Sequence, residues 1–273
     1  MGKIKRIWWQ ISGLIVFNFP FIGHLSLPWL PVPVLNCYSC PLALGACPIG
    51  TIQHFLVIGA VPIFVVGIIV LFSITAGRFY CSHLCPFGFL QDLLARITRH
   101  KVRIPSFLGY GKYVVLIITV ILLPPFLKEP FFCTLCPAGS LEAGIPIVLQ
   151  AWFKGRFAEP NLFSNVGGIL SMIGWWFWLK TALLAAILIT AVFIKRPFCR
   201  TACPLGALFG IFNRISLFFT HPGKKPDKQN RYYLRACPVG ITNPRDVDSH
   251  NCIKCRECHY PPDKKNQHSH SLQ

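Results

Sequence analysis

Four long stretches of apolar residues dominate the pattern of hydrophobic and polar positions along the chain. They cover residues 7–23, 55–76, 113–127 and 174–194, and the second contains no charged residue over 22 positions. A helix needs about 20 apolar residues to cross the hydrocarbon core of a bilayer. The pattern therefore predicts about four transmembrane helices. The third stretch is short, and Pro124-Pro125 predicts a break or kink at its end.

Basic residues cluster beside alternate ends of these stretches. Three precede the first stretch, six lie between the second and third, and fourteen follow the fourth, whereas the opposite loops carry only Lys128, Lys154 and Arg156. This bias predicts a multi-pass protein of a bacterial-type inner (cytoplasmic) membrane with both termini in the cytoplasm. A basic start is also typical of a signal peptide, but no small-x-small cleavage site follows, so we expect an uncleaved anchor.

Composition also favours a membrane location. Hydrophobic residues make up 53% of the 273-residue chain and charged residues only 13%, about half the charged fraction of a soluble domain. A formal net charge of +18 is also found in nucleic-acid-binding proteins. Here, however, the charges flank apolar stretches and do not form one folded basic face. We therefore expect membrane lipid, and no nucleic acid, among the partners.

The cysteines follow a repeated motif. The chain contains 13 of them, and an odd number excludes pairing of all of them in intrachain disulfides. The tetrapeptide Cys-Pro-x-Gly occurs five times, at Cys47, Cys85, Cys136, Cys203 and Cys237. Residues 78–90 resemble 196–208 at an offset of 118, and residues 47–53 resemble 136–142 at an offset of 89. These repeats predict an internal duplication.

The apolar pattern and the duplication together predict the fold class. We expect an all-α membrane protein with two pseudo-symmetric halves, residues 1–110 and 111–220, each with two transmembrane helices and two Cys-Pro-x-Gly motifs. After Phe219 the chain becomes polar. Residues 221–273 are therefore predicted to form a small cytoplasmic ferredoxin-like tail.

Each Cys-Pro pair predicts a cysteine at the start of a helix. Proline suits the first helical turn, where its missing N–H removes a donor that has no partner. The helix dipole there favours a thiolate and an anionic thiolate-bound cluster. A single copy is equally compatible with a buried structural cysteine, but five copies favour metal ligands.

The predicted topology sorts the membrane cysteines into two groups. The cytoplasmic-face group has four, the number that a [4Fe–4S] cluster takes: Cys81, Cys85, Cys199 and Cys203. The outer-face group has five, one more than a cluster needs: Cys37, Cys40, Cys47, Cys133 and Cys136. We expect one cluster in each group, bound across the two halves. For the outer group, zinc and a thiol–disulfide pair remain open alternatives.

The tail carries a third set of cysteines. Two-cluster bacterial ferredoxins repeat CxxCxxCxxxCP twice, and the last cysteine of one run binds the other cluster. Here one run keeps only its Cys-Pro and the other only its CxxCxxC, which predicts one [4Fe–4S] cluster on Cys237, Cys252, Cys255 and Cys258. Zinc is the main alternative. Residues 255–259 also match CxxCH, the haem c attachment pattern, which a cytoplasmic location disfavours.

Two polar residues are candidates for the vicinity of a quinone. A quinol site needs a proton acceptor near a cluster at the membrane interface, and His54 and Glu142 qualify because each follows an outer Cys-Pro motif. Gln53 and His83 qualify by position as well. At each position a hydrogen-bonded polar residue at a helix end is the favoured alternative.

The chain resembles the polytopic iron–sulfur proteins of the NapH/NosR-like quinol dehydrogenase family. The transmembrane CxxxCP motifs Cys81-Ser-His-Leu-Cys85-Pro and Cys199-Arg-Thr-Ala-Cys203-Pro carry the resemblance together with the ferredoxin-like tail. The resemblance covers most of the chain and implies electron transfer from quinol to partner redox proteins. The chain departs from the family in its one-cluster tail and its additional outer cysteines.

These features predict a membrane-embedded electron-transfer protein with about three [4Fe–4S] clusters. It would move electrons between the quinone pool or a cytoplasmic donor and a partner redox subunit, either a cytochrome or an iron–sulfur protein. The family role is that of a subunit in a quinol dehydrogenase complex, and whether this chain is itself an enzyme stays open. Two other hypotheses keep the topology: a transmembrane thiol–disulfide relay, and a membrane metal sensor or assembly factor.

Overall fold

The computed structural model describes residues 3–18, 27–37, 44–98, 102, 104–146, 148–149, 175–217, 237, 239–241 and 246–256. Most of these residues are helical. The first part of the chain forms five helices and two short strands, which are α1 (Lys3–Asn18), β1 (Leu27–Pro31), β2 (Gly45–Ala46), α2 (Pro48–Val57), α3 (Ile63–Thr75), α4 (Phe79–His83) and α5 (Pro86–Leu94). The two strands pair in parallel, with Leu27 opposite Gly45.

The second part of the chain repeats the alternation of long and short helices. Its helices are α6 (Phe107–Leu127), α7 (Phe131–Leu135), α8 (Pro137–Gly139, continued by a π turn over Ser140–Gly144), α9 (Trp175–Phe193), α10 (Pro197–Thr201) and α11 (Pro204–Ile211). The described part of the tail, residues 237, 239–241 and 246–256, has no long helix.

Two helices, α6 and α9, are long and apolar enough to cross a membrane, with 21 and 19 residues. Helix α3 is equally apolar but has 13 residues. The predicted second stretch, 55–76, is therefore not one helix: Gly59 has a φ of +74° and separates α2 from α3. Large apolar side chains also face outward, and Phe64, Phe126 and Trp175 are 62%, 83% and 73% exposed. This surface favours a membrane protein, and the four-span topology remains a prediction.

Helix α6 accommodates its prolines without a break. It starts as a 3₁₀ turn, becomes α-helical, and widens into a π-helix over Leu116–Leu122 before Pro124. The wider winding suits a proline, because its ring clashes with the preceding turn of a regular helix and it lacks an N–H. The Thr119 carbonyl, whose i+5 partner is Pro124, instead accepts a hydrogen bond from Gln53 Nε2 at 3.4 Å. The third predicted stretch is thus longer than expected and ends at Lys128, which has left-handed backbone angles.

The two copies of the repeated segment pack against each other reciprocally. Helix α3 of the first copy contacts α11 of the second, and α9 of the second contacts α5 of the first. Aromatic rings join the same surfaces, with Phe87 edge-on to Phe198 at 5.3 Å and Tyr80 at 6.1 Å from Phe209. This exchange is what a duplication with paired halves predicts. The domain boundaries at residues 110 and 220 remain a prediction.

A buried carboxylate ties α1 to both copies. Asp92 on α5 accepts hydrogen bonds from Arg196 Nε at 2.7 Å and Arg196 Nη2 at 2.6 Å, from Gln10 Nε2 at 2.9 Å, and from Arg6 Nη2. Burial raises the pKa of Asp92, but the charges of Arg196 and Arg6 lower it by more, so the pKa lies well below its usual range. The ionised carboxylate therefore stabilises the folded protein.

We expect the substitution Asp92→Asn to destabilise the fold by about 3 kcal/mol, because it leaves the Arg196 and Arg6 guanidinium groups without their counter-ion. Denaturant titration of the detergent-solubilised protein would measure this. Because the folded state depresses the pKa, the advantage of Asp92 is complete above the usual carboxyl pKa of about 3.9 and declines as the pH falls below it. Glu129→Gln is the matched control, since Glu129 is exposed. Equal stability of Asp92→Asn and Glu129→Gln at neutral pH would contradict the prediction.

Candidate metal centres

Four cysteines stand at the starts of helices, as the Cys-Pro pairs predict. Cys47, Cys85, Cys136 and Cys203 each precede a proline at the first helical position, with φ between −64° and −75° and ψ between 111° and 125°. Such extended angles place the residue just outside the helix, where its side chain can turn back over the first N–H groups. The prediction of helix-start cysteines is confirmed at these four positions. For Cys237 the following proline lies outside the described residues.

In these four motifs the glycine donates its backbone N–H to the cysteine sulfur, whereas the Gly240 N–H donates to the Cys237 carbonyl at 3.2 Å. The Gly206 nitrogen lies 3.3 Å from Cys203 Sγ, and the corresponding backbone hydrogen bond joins Gly50 to Cys47, Gly88 to Cys85 and Gly139 to Cys136. The sulfur thus takes the place of a capping oxygen for the third helical N–H. This explains why the glycine stands three positions after the cysteine. It also gives each of these sulfurs a hydrogen bond that favours its anionic form.

The structure brings the four cytoplasmic-face cysteines together. Cys81 and Cys199 lie on the short helices α4 and α10, Cys85 and Cys203 cap α5 and α11, and all four are buried. Burial raises the pKa of the Cys203 thiol, and the neighbouring Cys199, Cys81 and Cys85 raise it further. Gln91 Nε2 donates to Cys199 Sγ at 3.2 Å. A closed group of four buried cysteines has the donor set of a [4Fe–4S] site.

Two arginines connect the halves around this group. Arg78 precedes α4 and donates through Nη2 to the Cys199 carbonyl at 2.8 Å. Arg196 precedes α10 and donates through Nη1 to the Cys81 carbonyl at 2.9 Å. Both side chains are completely buried. Each half therefore places a cation against a cysteine carbonyl of the other half, where it would offset the negative charge of thiolates bound to a cluster.

The two arginines differ in their second partner. Arg196 pairs with Asp92, and the residue at the offset of 118 from Asp92 is Gly210. A Cβ atom at Gly210 would lie 3.0 Å from the His250 carbonyl oxygen of the tail. That carbonyl accepts from Arg78 Nη1 at 2.8 Å. In the second copy, a backbone carbonyl of the tail thus occupies the place that the carboxylate takes in the first.

Four of the five outer-face cysteines also form one group. Burial raises the pKa of the Cys133 thiol, and Cys47, Cys136 and Cys37 raise it further. A Cβ atom at Gly139 would lie 3.4 Å from Cys37 Sγ, so the glycine allows the approach of Cys37. The fifth cysteine, Cys40, lies outside the described residues.

The two quinone candidates occupy different surroundings. Glu142 is half-buried, and its Oε2 accepts a hydrogen bond from the Cys37 backbone N–H at 2.8 Å. It therefore holds the loop that carries Cys37. His54 is exposed on α2. Quinone binding at either residue remains a prediction.

The tail cysteines lie beside the cytoplasmic-face group. Cys237, Cys252 and Cys255 belong to a small apolar cluster with Val239, Ile241, Val247 and Ile253. Asn213, which follows α11, donates through Nδ2 to the Cys252 carbonyl at 2.9 Å. Cys258, the fourth predicted tail ligand, lies outside the described residues.

Among the described residues, no three His, Cys, Asp or Glu side chains converge closely enough to hold a single metal ion. A cubane cluster makes a different demand, because each thiolate binds a different iron and the sulfurs stand farther apart. The donor groups are therefore compatible with clusters of this type.

Sequence reasoning missed several polar residues of the cytoplasmic-face site. Arg78 and Arg196 begin the two segments that repeat at an offset of 118, so the repeat carried their signal. Gln91 and Asn213 have no such counterpart. Their roles depend on contacts with Cys199 and with the tail, which no local pattern reveals.

Comparison with known families supports the cluster chemistry of these groups. Residues 57–105, 111–156 and 174–225 each match the 4Fe-4S binding domain family, and together they make up more than half of the chain. The chain belongs to this family. The three matched segments each join an apolar helix to a pair of cysteines. The prediction of an iron–sulfur protein of NapH/NosR-like type is confirmed.

Curated relatives extend over most of the chain. An uncharacterized protein of Methanocaldococcus jannaschii is 29% identical over 224 residues, 78% of this chain and 81% of the relative. The ferredoxin-type protein NapH of Escherichia coli is 26% identical over an alignment of 286 positions, 93% of this chain and 88% of NapH. The regulatory protein NosR of Stutzerimonas stutzeri is 27% identical over 263 residues, 91% of this chain but 30% of NosR. No solved structure matches the chain.

The glycines of the motifs provide a test of the cytoplasmic-face site. A Cβ atom at Gly88 would lie 2.9 Å from the Cys81 carbonyl oxygen, so we expect Gly88→Ala to displace α4 from α5 and to cost about 1–3 kcal/mol of stability. Iron content per chain should fall with it. Thermal unfolding and iron analysis of the purified protein would measure both effects.

Gly67→Ala is the matched control for this test. Gly67 lies on the exposed side of α3 with nothing within 4 Å of an added Cβ atom. Alanine favours a helix over glycine, so stability should rise by about 0.5–1 kcal/mol with iron unchanged. Equal iron content in both variants would show that close packing at Gly88 does not matter to the site.

Proposed function

We propose that this chain is a membrane-embedded electron-transfer protein with three [4Fe–4S] clusters. The cytoplasmic-face cluster takes Cys81, Cys85, Cys199 and Cys203, the outer-face cluster takes Cys37, Cys47, Cys133 and Cys136, and the tail cluster takes Cys237, Cys252, Cys255 and Cys258. When bound, such clusters accept and release single electrons. The observation that carries the proposal is the buried group of four cysteines, two from each half, between two reciprocal arginines.

The residues around the cytoplasmic-face site would hold its charge and tune its potential. Cations and hydrogen bonds to sulfur stabilise the reduced, more negative state of a thiolate-bound cluster and so raise its reduction potential. Arg78 and Arg196 supply the cations, while Gln91 and Gly206 donate to the sulfurs of Cys199 and Cys203. Burial of all four cysteines would exclude water and oxidants.

The outer-face site supports Cys37 as a ligand and leaves Cys40 as the extra cysteine. Cys37 Sγ lies close to Gly139 in the Cys136 motif, and Glu142 fixes the Cys37 backbone. Because at least 96 positions separate Cys37 from Cys133 and Cys136, the support for this choice comes from the tertiary fold. The ligand set joins both halves, as at the cytoplasmic face.

The proposed topology follows from the helices and the charges. We place α1, the segment with α3, α6 and α9 across the membrane, with both termini in the cytoplasm. Electrons would pass between the quinone pool or a cytoplasmic donor and a partner redox protein, a cytochrome or an iron–sulfur protein. The relative named ferredoxin-type protein NapH supports such an electron-transfer role. A quinone near His54 or Glu142 is part of this proposal.

The thiol–disulfide relay fits the cysteine surroundings less well. A relay needs an accessible thiolate with a lowered pKa. Burial instead raises the pKa of the Cys85 thiol, and the neighbouring Cys199 and Cys81 raise it further. A buried, protonated thiol reacts slowly with disulfides, so metal binding is the favoured use of these cysteines.

Metal analysis with a matched pair of cysteine variants tests the proposal. We expect about twelve iron atoms and about twelve acid-labile sulfides per chain, because three cubane clusters hold four of each. Cys37→Ser should lower both to about eight, whereas Cys40→Ser should leave them unchanged. The measurement is iron and sulfide content of protein purified anaerobically in detergent.

Each outcome separates the hypotheses. About four irons per chain would restrict clusters to the tail and make the membrane cysteines candidates for the relay. Loss of iron in Cys40→Ser but not in Cys37→Ser would reverse the outer ligand assignment. Folded protein without iron and sulfide, even after anaerobic reconstitution, would overturn the proposed function.

A further inference from the structure

The tail loop, residues 246–256, is bound into the cytoplasmic face by buried polar contacts. Asn213 Nδ2 donates to the Ser249 carbonyl at 2.7 Å and to the Cys252 carbonyl at 2.9 Å. Lys112, at the start of α6, donates to the His250 carbonyl at 2.7 Å and to Asn251 Oδ1 at 2.9 Å. Both donor side chains are completely buried. Undocking the loop would leave these buried groups without their partners, and a buried polar group without a hydrogen bond is costly.

The surface under the tail loop is shaped for close approach. A Cβ atom at Gly210 would lie 3.0 Å from the His250 carbonyl oxygen, and one at Gly109 would lie 2.7 Å from Asn251 Nδ2. From the loop, the buried Lys254 reaches Ser216 Oγ. Gly109 and Gly210 on the membrane part, and the buried Lys254 on the loop, indicate that the loop binds in one fixed position. A loosely tethered module would keep its charged side chains in water.

Helix α10 adjoins both the tail site and the cytoplasmic-face site. Its Cys199 belongs to the buried group of four, whereas Arg200 lies 3.6 Å from where a Cβ atom of Gly240 in the tail would be. Cys237 lies near enough to Arg200, and Cys255 near enough to Arg196, for a thiolate there to interact with the guanidinium charge. Arg78 connects the two sites directly, because one guanidinium binds both the Cys199 and the His250 carbonyls.

We propose that the tail loop is a permanently docked relay and that electrons pass directly between the tail site and the cytoplasmic-face site across helix α10. The step moves one electron: the donor site is oxidised, the acceptor site is reduced, and no bond or proton changes place. The inference rests on the proposed function, since it needs a cluster in each site. Arg78, Arg196 and Arg200 keep positive charge between two anionic sites, which lowers the repulsion when both are reduced.

Magnetic resonance of the reduced protein tests this arrangement. Two paramagnetic clusters on either side of one short helix broaden and split each other's signals. We expect this interaction in the fully reduced full-length protein in detergent. It should disappear in Cys252→Ser, which removes the tail cluster and leaves the cytoplasmic-face cluster with a narrow signal.

A matched pair of asparagine variants tests the docking itself. Asn213→Asp keeps the Oδ1 acceptor for the Arg78 backbone N–H but removes both N–H donors and sets a carboxylate against two carbonyls. We expect loss of the magnetic interaction and at least tenfold faster proteolysis within residues 246–256. Asn251→Asp keeps the acceptor for Lys112 and should preserve both properties.

The outcomes distinguish this inference from the proposed function. Three clusters whose signals simply add in the wild-type protein would overturn direct exchange while leaving the function intact. Rapid proteolysis of the wild-type loop would overturn permanent docking. The wild-type spectrum decides the first point by itself, so the inference stays testable if Asn213→Asp fails to fold.

Discussion

The exchange of buried arginines between the two halves is the interaction on which the cytoplasmic-face site depends. An isolated charge in a protein interior costs several kcal/mol unless charge or hydrogen bonds compensate it. Arg196 has the Asp92 carboxylate, but Arg78 binds carbonyl oxygens, and its Nε has no hydrogen-bond partner among the described residues. Cys81 and Cys199 lie close enough to interact with this positive charge. Anionic thiolates bound to iron would provide its compensation, which links the stability of the fold to the occupancy of the site.

The same arginine exchange occurs in both copies of the repeat, but the two copies contact different segments: α1 in the first copy and the tail loop in the second. In the first copy, Asp92 completes the arginine site and draws α1 onto α4 and α5 through Arg6 and Gln10. In the second copy, Gly210 leaves room for the His250 carbonyl and so admits the tail loop. At these equivalent positions, the half with Asp92 packs against the first helix, and the half with Gly210 contacts the tail. Electron exchange with the tail would follow from this asymmetry.

Local features of the site could be predicted from the sequence because they depend on neighbouring residues. Proline after cysteine determines where each helix starts, and the glycine two positions later allows the sulfur to cap it, as at Cys203 and Gly206. The apolar stretches likewise predicted helices α6 and α9. The break between α2 and α3 was missed, because Gly59 permits a turn that an apolar stretch alone does not reveal.

The sequence by itself determined the chemistry of this protein: an apolar helical chain with cysteines at helix starts in numbers suited to clusters. Only the tertiary structure decided which groups meet. Cys37 reaches Glu142 across 105 positions, and Arg78 reaches His250 across 172. The physical reason is the sequence distance over which each interaction acts. Helix starts and caps are settled within a few residues, whereas the partners of a buried charge or thiol are set by how distant segments pack, and a one-dimensional pattern holds no record of that packing.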